Sequence, residues 1–504
     1  MSTSFYDILI AGTELPGLIL GALCAKKGYR VLVVGQNGRS NHYVHGTYTF
    51  RRRAPIFTGL ETSAAVKSVF SELSLSLEMR NRPKPYDPYY QVIFSDKRID
   101  FSGKERSFDR EVAREFPDEI DRIKQFYRSL RSTNELITAF LQKDPHLPPD
   151  GWFQAREFAR LAQQFPALTD AEPFPDPLNL FPLGHPFRAS MVGPALFTSG
   201  LDIEVSNPIP LVRCMGNLAH GMVHIEGGVD GLKEVFIQKI RQHASDYRPD
   251  VALDGLQIKR GRVEEAYVRD RREMIGCHVL VCNSNMKKFF QLVPAEHQRE
   301  RYHHQIHTLQ PTHYLFTVNI AVPAEAIPEG MAKNMFLIGD PNRALEDDNL
   351  IFVSQDVDKR PVMPNEKVRQ EIVALAVMCR LRVRRFVPAV GFVQELSHRL
   401  LTRLKETVLP FLDEHLLATH SPWLGVDSLT GQLQVDGSAP IPVYRGAIPN
   451  TLDSTILPVF SDYKNILVAG EHIFAGFGFE GAFIAALNGF RRVCDMVVKK
   501  TILS

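Results

Sequence analysis

Residues Tyr6 to Val34, YDILIAGTELPGLILGALCAKKGYRVLVV, constrain this chain more than any other stretch. Tyr6 to Ala11 reads as a buried parallel strand, Gly12 as a tight turn, and Leu15 to Lys27 as a helix with apolar residues at helical spacing. Gly28 stops the helix and Arg30 to Val34 is a second strand, which makes a βαβ unit. Where such a unit carries a dinucleotide, its first glycine makes the turn, its second lets backbone approach the pyrophosphate, and its third lets helix and strand pack. Gly12 and Gly17 hold the outer two positions, but Glu14 stands in the middle one. A carboxylate there opposes the attraction that a helix N-terminus offers to anions. The second strand also ends in Gly35, Gln36 and Asn37, with no acidic residue for ribose hydroxyls. The fold signal survives while the nucleotide end is weakened.

With 504 residues, 44% of them hydrophobic, the chain can bury large cores and exceeds one typical domain, so two interleaved domains are expected. A net charge of +2 gives no argument for nucleic acid. The local basic clusters Arg51 to Arg53 and Arg380, Arg382, Arg384 and Arg385 read as solvated faces, with contact to a membrane surface or an acidic partner as the alternative. The start, MSTSFYDIL, has no basic region ahead of its apolar stretch, and Glu14 and Pro16 interrupt that stretch. Neither a signal peptide nor a membrane span is therefore expected, and a cytoplasmic location follows. Cys24, Cys214, Cys277, Cys282, Cys379 and Cys494 are scattered without CxxC or zinc-site spacing, so reduced, mostly buried thiols are expected.

Further along, Pro55 to Ser76 reads as a turn and short helix, and Tyr90 to Phe101 alternates as a hairpin around Ser95 to Lys97. Asp118 to Leu141 places Ile120, Ile123, Phe126, Leu130, Ile137 and Leu141 on one helical face. Lys143 to Phe187, rich in proline and aromatic residues, reads as an irregular wall or lid over a pocket. In Gly221 to Ile240 a glycine pair, Gly227 and Gly228, leads into a helix; strands are expected near Leu256 to Arg260, Val263 to Asp270 and Cys277 to Cys282. A strand opens at Tyr314, and Asn365 is read as capping a helix through Phe386. Asn465 to Asn488, NILVAGEHIFAGFGFEGAFIAALN, closes the chain as strand, glycine-rich loop and helix.

Three separated blocks, the N-terminal unit, the central GGVDGL and the terminal VAGEHIFAGFGFEGAF, occur in an order and spacing that resembles the flavin-dependent phytoene desaturase and amine oxidase superfamily, with the carotenoid desaturase and isomerase branch as its nearest likeness. The resemblance covers the whole chain. It implies an α/β, Rossmann-like FAD/NAD(P)-binding fold with an inserted α+β substrate domain. The FAD-binding domain would comprise residues 1–76, 215–295 and 445–504, and the substrate domain residues 77–214 and 296–444. By the same resemblance FAD is the cofactor. Gly470 and Glu471 would meet its ribityl and pyrophosphate region; Gly478, Glu480, Gly481 and Ala482 would bring a helix N-terminus to the isoalloxazine ring; Arg39, in NGRS, would face phosphate unless that segment is only an exposed turn. Backbone N–H groups at a helix start can stabilise a reduced flavin's negative charge, and a carboxylate at a strand end can accept from ribityl or ribose hydroxyls.

The function implied is FAD-dependent oxidation, desaturation or isomerisation of a hydrophobic small molecule. Rab GDP-dissociation inhibitors and Rab escort proteins resemble the same fold while acting as lipid-binding chaperones, so a binding or scaffold protein without FAD, or an inactive subunit of a complex, stays open. A protein partner or peripheral membrane contact fits either class. No catalytic base stands out. His303 and His307 have i, i+4 spacing, but the segment runs on through His313 into the expected strand, so no metal site is expected. His472 is a candidate for the active-site wall or a structural histidine, and Phe474, Phe477 and Phe479 suit either an apolar substrate or the core.

Overall fold

The computed structural model describes residues 2–497 apart from 148, 150, 170, 205–207, 269–271, 357–370, 428, 446–451 and 453. Its opening segment is a strand at Ser2–Ala11, a helix at Leu15–Lys26 and a strand at Val31–Val34 parallel to the first. The helix is buried all round from Leu15 to Ala25, because the sheet covers one side and the helices Gly228–Gln242 and Gly478–Met496 cover the other. Glu273–Cys282 and Ile466–Val468 extend the parallel sheet beyond the first strand, and Asp246–Arg248 extends it beyond the second. A hairpin, Leu253–Lys259 and Arg262–Val268, adds antiparallel strands to the other half of Glu273–Cys282. The chain thus leaves its first strand in opposite directions, the arrangement that opens a crevice at the carboxyl ends of an α/β sheet.

A second sheet of eight strands holds the hairpin Tyr90–Ile93 and Arg98–Phe101, the long strand Pro311–Pro323, and Ile372–Arg382 at its centre. One face packs on the helix Val390–Thr407 through Phe316, Val318, Val377 and Leu400. The other face, with Leu315, Ala376 and Met378, joins the core built from the helices Ile120–Gln142, Pro186–Thr198 and Pro208–Ala219. The fold is α/β, a Rossmann-like unit with an α+β insertion.

Four expectations are corrected. Ile372–Arg382 is a strand where a helix was read, because a run apolar on both faces looks alike in either form; Asn365 itself lies outside the described residues. Lys143 to Phe187 contains a regular helix, Gly151–Gln164, besides irregular turns. One arginine of each basic cluster is internal rather than solvated: Arg51 pairs with Asp356, and Arg380, fully buried, donates to Asp202 at 3.0 Å, while Arg384 and Arg385 are exposed as expected. Arg382 bonds Glu346, and Arg385, at the surface, pairs with Asp347. Finally, the segment of His303 and His307 does not run on as strand but forms the separate helix Glu300–Thr308, which keeps their i, i+4 spacing; the His303 ring bonds the Tyr463 hydroxyl at 2.9 Å, and no metal-holding group occurs among the described residues. The cysteines are free thiols, all buried except the half-buried Cys494. Among the described residues no helix is long and apolar enough to cross a membrane.

Asn465 ties the last parallel strand to the rest of its sheet. Its side chain accepts from Val263 N–H at 2.8 Å and donates to the carbonyls of Val263 and His278 at 2.8 and 3.0 Å, in a fully buried position. Asn465→Ala leaves those backbone groups unpaired and is expected to cost about 2–3 kcal/mol, read as a lower urea midpoint at unchanged slope.

Candidate functional site

The site begins with register. Ala11 stands opposite Val34 on one side and Cys282 on the other, and Cys282 stands opposite Val468. Four loops therefore leave the sheet at one level, carrying Gly12 to Gly17, Gly35 to Gly38, Asn283 and Gly470 to His472. These are the carboxyl ends, where an open α/β sheet holds its ligand.

Glu14 is the N-cap residue of the first helix in extended conformation, and its side chain makes no capping bond. Instead its Oε2 accepts the Glu471 N–H at 2.6 Å. A methyl group built on Gly470 would stand 2.7 Å from that same oxygen, so glycine at this position makes room for the carboxylate. Burial, with the charge of Glu471 added, pushes the Glu14 pKa up to about 7 against the pull of the N–H bond and of Lys233. The Glu471 side chain itself is exposed.

Asn283 was not singled out in the sequence, yet it organises the whole turn. It accepts the Gly17 N–H at 3.0 Å and donates to the carbonyls of Gly12 and Glu14 at 3.1 and 2.9 Å. Gly12, at φ 121°, passes so close to the Asn283 carbonyl that any side chain would collide with it, and Gly17 lies equally close to the Asn283 amide. No motif marks a lone asparagine after a strand, so only the assembled sheet reveals it.

The remaining candidates are held in protein contacts. Arg39 pairs with Asp436. Gly35 packs against the Pro249 carbonyl, and Gln36 bonds the backbone of Leu253 in both directions, which occupies the place of a ribose-binding acid. Gly478 and Gly481 start the last helix against the carbonyls of Thr198 and Phe474, and Ala482 is half-buried in the core. Glu480 is buried and takes a two-pronged bond from Arg213 at 2.7 and 2.8 Å plus one from Asn217 at 3.0 Å. Burial alone would raise its pKa, but Arg213, Ser63 and Asn217 outweigh that and hold it below the usual carboxylate range. Phe474 and Phe477 are buried and stacked nearly parallel, while Phe479 packs edge-on to Phe57.

His472 lies beside Tyr444, ring centroids 5.4 Å apart. Burial pushes the imidazole down to about 4 and the phenol up to about 12, so both are neutral at pH 7. Tyr444 was also missed, since its partner comes from a distant segment. Nearby, the Tyr444 carbonyl accepts the Asp202 N–H, which joins it to the buried cluster of Asp202, Arg380, His313 and Glu346.

No known family model matches the sequence, and no curated protein matches it. Solved structures do share its fold. A wild-type putrescine oxidase bound to putrescine aligns at TM-score 0.56 and 13% identity over 99% of this chain and 100% of its own. An oxidoreductase from Methanosarcina mazei aligns at TM-score 0.55 and 14% identity over 97% of this chain and 99% of its own. A Pyrococcus furiosus protein aligns at 0.55 and 13% over 96% and 97%. This chain shares the fold of these structures over nearly its full length.

The Glu480 and Arg213 pair is the contact at the site that is costliest to break from one side. Removing one partner leaves a buried charge or donor uncompensated, so Arg213→Met is expected to cost about 3–5 kcal/mol in chemical denaturation at pH 7. Because the Glu480 pKa is depressed on folding, the pair's contribution is present above the unfolded carboxylate value and lost as pH falls through the depressed one. The stability gap between wild type and Glu480→Gln should therefore narrow on acidification.

Proposed function

We propose that this protein binds FAD at the carboxyl ends of its parallel sheet and acts as an oxidoreductase of desaturase, oxidase or isomerase type on a hydrophobic substrate. One observation carries the reading: the Gly12 to Gly17 turn and the Glu471 N–H converge on one point, and that N–H already holds a carboxyl oxygen. A donor that holds a carboxylate is chemically suited to a phosphate. The full-length likeness of fold to a putrescine oxidase and to a Methanosarcina oxidoreductase supports the class. Gly12, Gly17, Gly470 and Glu471 are the residues that would hold the dinucleotide, with the exposed Glu471 carboxylate placed to accept from ribityl or ribose hydroxyls. When bound, the flavin would supply the acceptor for hydride from substrate carbon.

The chain itself supplies position and enclosure. Tyr444 and His472 place two neutral rings side by side next to the strand ends, a pair that suits contact with an apolar substrate. His472, uncharged at neutral pH, has one ring N–H to donate and one ring nitrogen to accept a hydrogen bond. The sequence holds a single βαβ fingerprint, so reducing equivalents would pass to oxygen, a quinone or a protein partner, or return to the substrate in an isomerisation, rather than to a second, nicotinamide dinucleotide. The carotenoid desaturase and isomerase branch is the finer form of this reading. A second reading, a lipid-binding or scaffold protein without FAD, is favoured by one fact: Glu14 already satisfies the Glu471 N–H from within the chain.

A visible spectrum of the purified protein, with heat-released flavin identified, decides between the two. The flavin reading predicts yellow protein that releases FAD, or colourless protein that takes it up on incubation; protein that stays colourless in excess FAD supports the scaffold. Glu471→Ala should lower flavin content more than Arg39→Ala, since Arg39 is engaged by Asp436.

A further inference from the structure

The anion position at the strand ends is filled by the protein itself. The N–H of Glu471, which on the flavin reading would serve a phosphate, instead holds Glu14 Oε2 at 2.6 Å, in space kept open by Gly470. Two positions of the first helical turn offer no donor either: Gly17 N–H is bonded to Asn283 and Pro16 has no N–H. We propose that the Glu14 carboxyl is a built-in occupant of the dinucleotide phosphate position, which FAD must displace, and that its displacement is coupled to uptake of a proton. This rests on the flavin reading above and adds to it a regulated step, the loading of the cofactor.

The coupling follows from where the side chain is anchored. As the N-cap residue, Glu14 has its Cα fixed at the mouth of the helix, so a carboxyl moved off the Glu471 N–H stays within one side-chain length of any anion that replaces it. A second anion disfavours the charged carboxylate further. The groups around it do not cancel that effect. Glu471 adds a like charge; Lys233, from Gly228–Gln242, gives the only opposing charge among the groups that shift Glu14. His472 and Tyr444 are neutral, and burial holds the Cys282 thiol protonated. FAD should consequently bind the protonated form, loading readily on the acid side of neutrality and poorly on the alkaline side.

Two substitutions separate the charge from the occupancy. Glu14→Gln keeps an oxygen for the Glu471 N–H and removes the charge; Glu14→Gly removes both. FAD affinity of the apoprotein, measured by titration calorimetry between pH 6 and 9, is expected to weaken in wild type above pH 7 by up to about tenfold per pH unit, as one-proton linkage requires. In Glu14→Gln it should stay flat, equal to wild type near pH 6 and tighter at pH 9. Glu14→Gly should bind more tightly than either at pH 9, by about tenfold or more over wild type. Wild-type affinity that is constant or rises with pH, or a glutamine variant that tracks it, overturns the inference and leaves the flavin reading intact. If wild type and both variants take up no FAD at pH 6, the inference and the flavin reading fall together.

Discussion

Three parallel strands drawn from the start, middle and end of the chain finish at one level, with Ala11, Cys282 and Val468 side by side. Everything chemical about this protein depends on that register. A slip of one residue in Ile466–Val468 would carry the Glu471 N–H away from Glu14 and turn the strand's side chains to the opposite face. The register is held by ladders continued past the strand ends, Asn283 N–H to Ala11 and Ala469 N–H to Cys282, both 2.9 Å, and by the buried amide of Asn465. Asn283 then converts aligned strand ends into a fixed turn, because one side chain bonds Gly12, Glu14 and Gly17 together.

Charge inside the molecule serves mainly to join elements that are far apart in sequence. Arg213 and Glu480 link Pro208–Ala219 to the start of the last helix, and Arg380 and Asp202 link the centre of the second sheet to the segment before Pro208. Buried pairs of this kind contribute less net stability than their geometry suggests, since both ions have lost water. Glu14 differs from all of these carboxylates. It holds no cation, only a backbone N–H, and it is the one whose pKa rises to about 7.

Much of this was legible in the sequence because glycine and apolar periodicity are local signals. The βαβ unit, the amphipathic helix Ile120–Gln142 and the terminal strand, loop and helix all follow from residue order alone. Ile372–Arg382 was misread since a strand buried on both faces has no period to distinguish it. The arginines near it were misread for a related reason: a sequence shows the charge but not the partner, and Asp202 and Glu346 come from other segments. Asn283 and Tyr444 carry no motif at all. The replacement of a glycine by Glu14 was visible, but not that its carboxylate would turn toward Glu471, a contact spanning 457 positions.

The most direct test of the account is a crystal structure of the protein grown with FAD at pH 6, compared with one grown without it. A phosphate oxygen on the Glu471 N–H, with the Glu14 carboxyl moved aside and only in the FAD-loaded crystal, is the predicted result. FAD bound while Glu14 still accepts that N–H would contradict it.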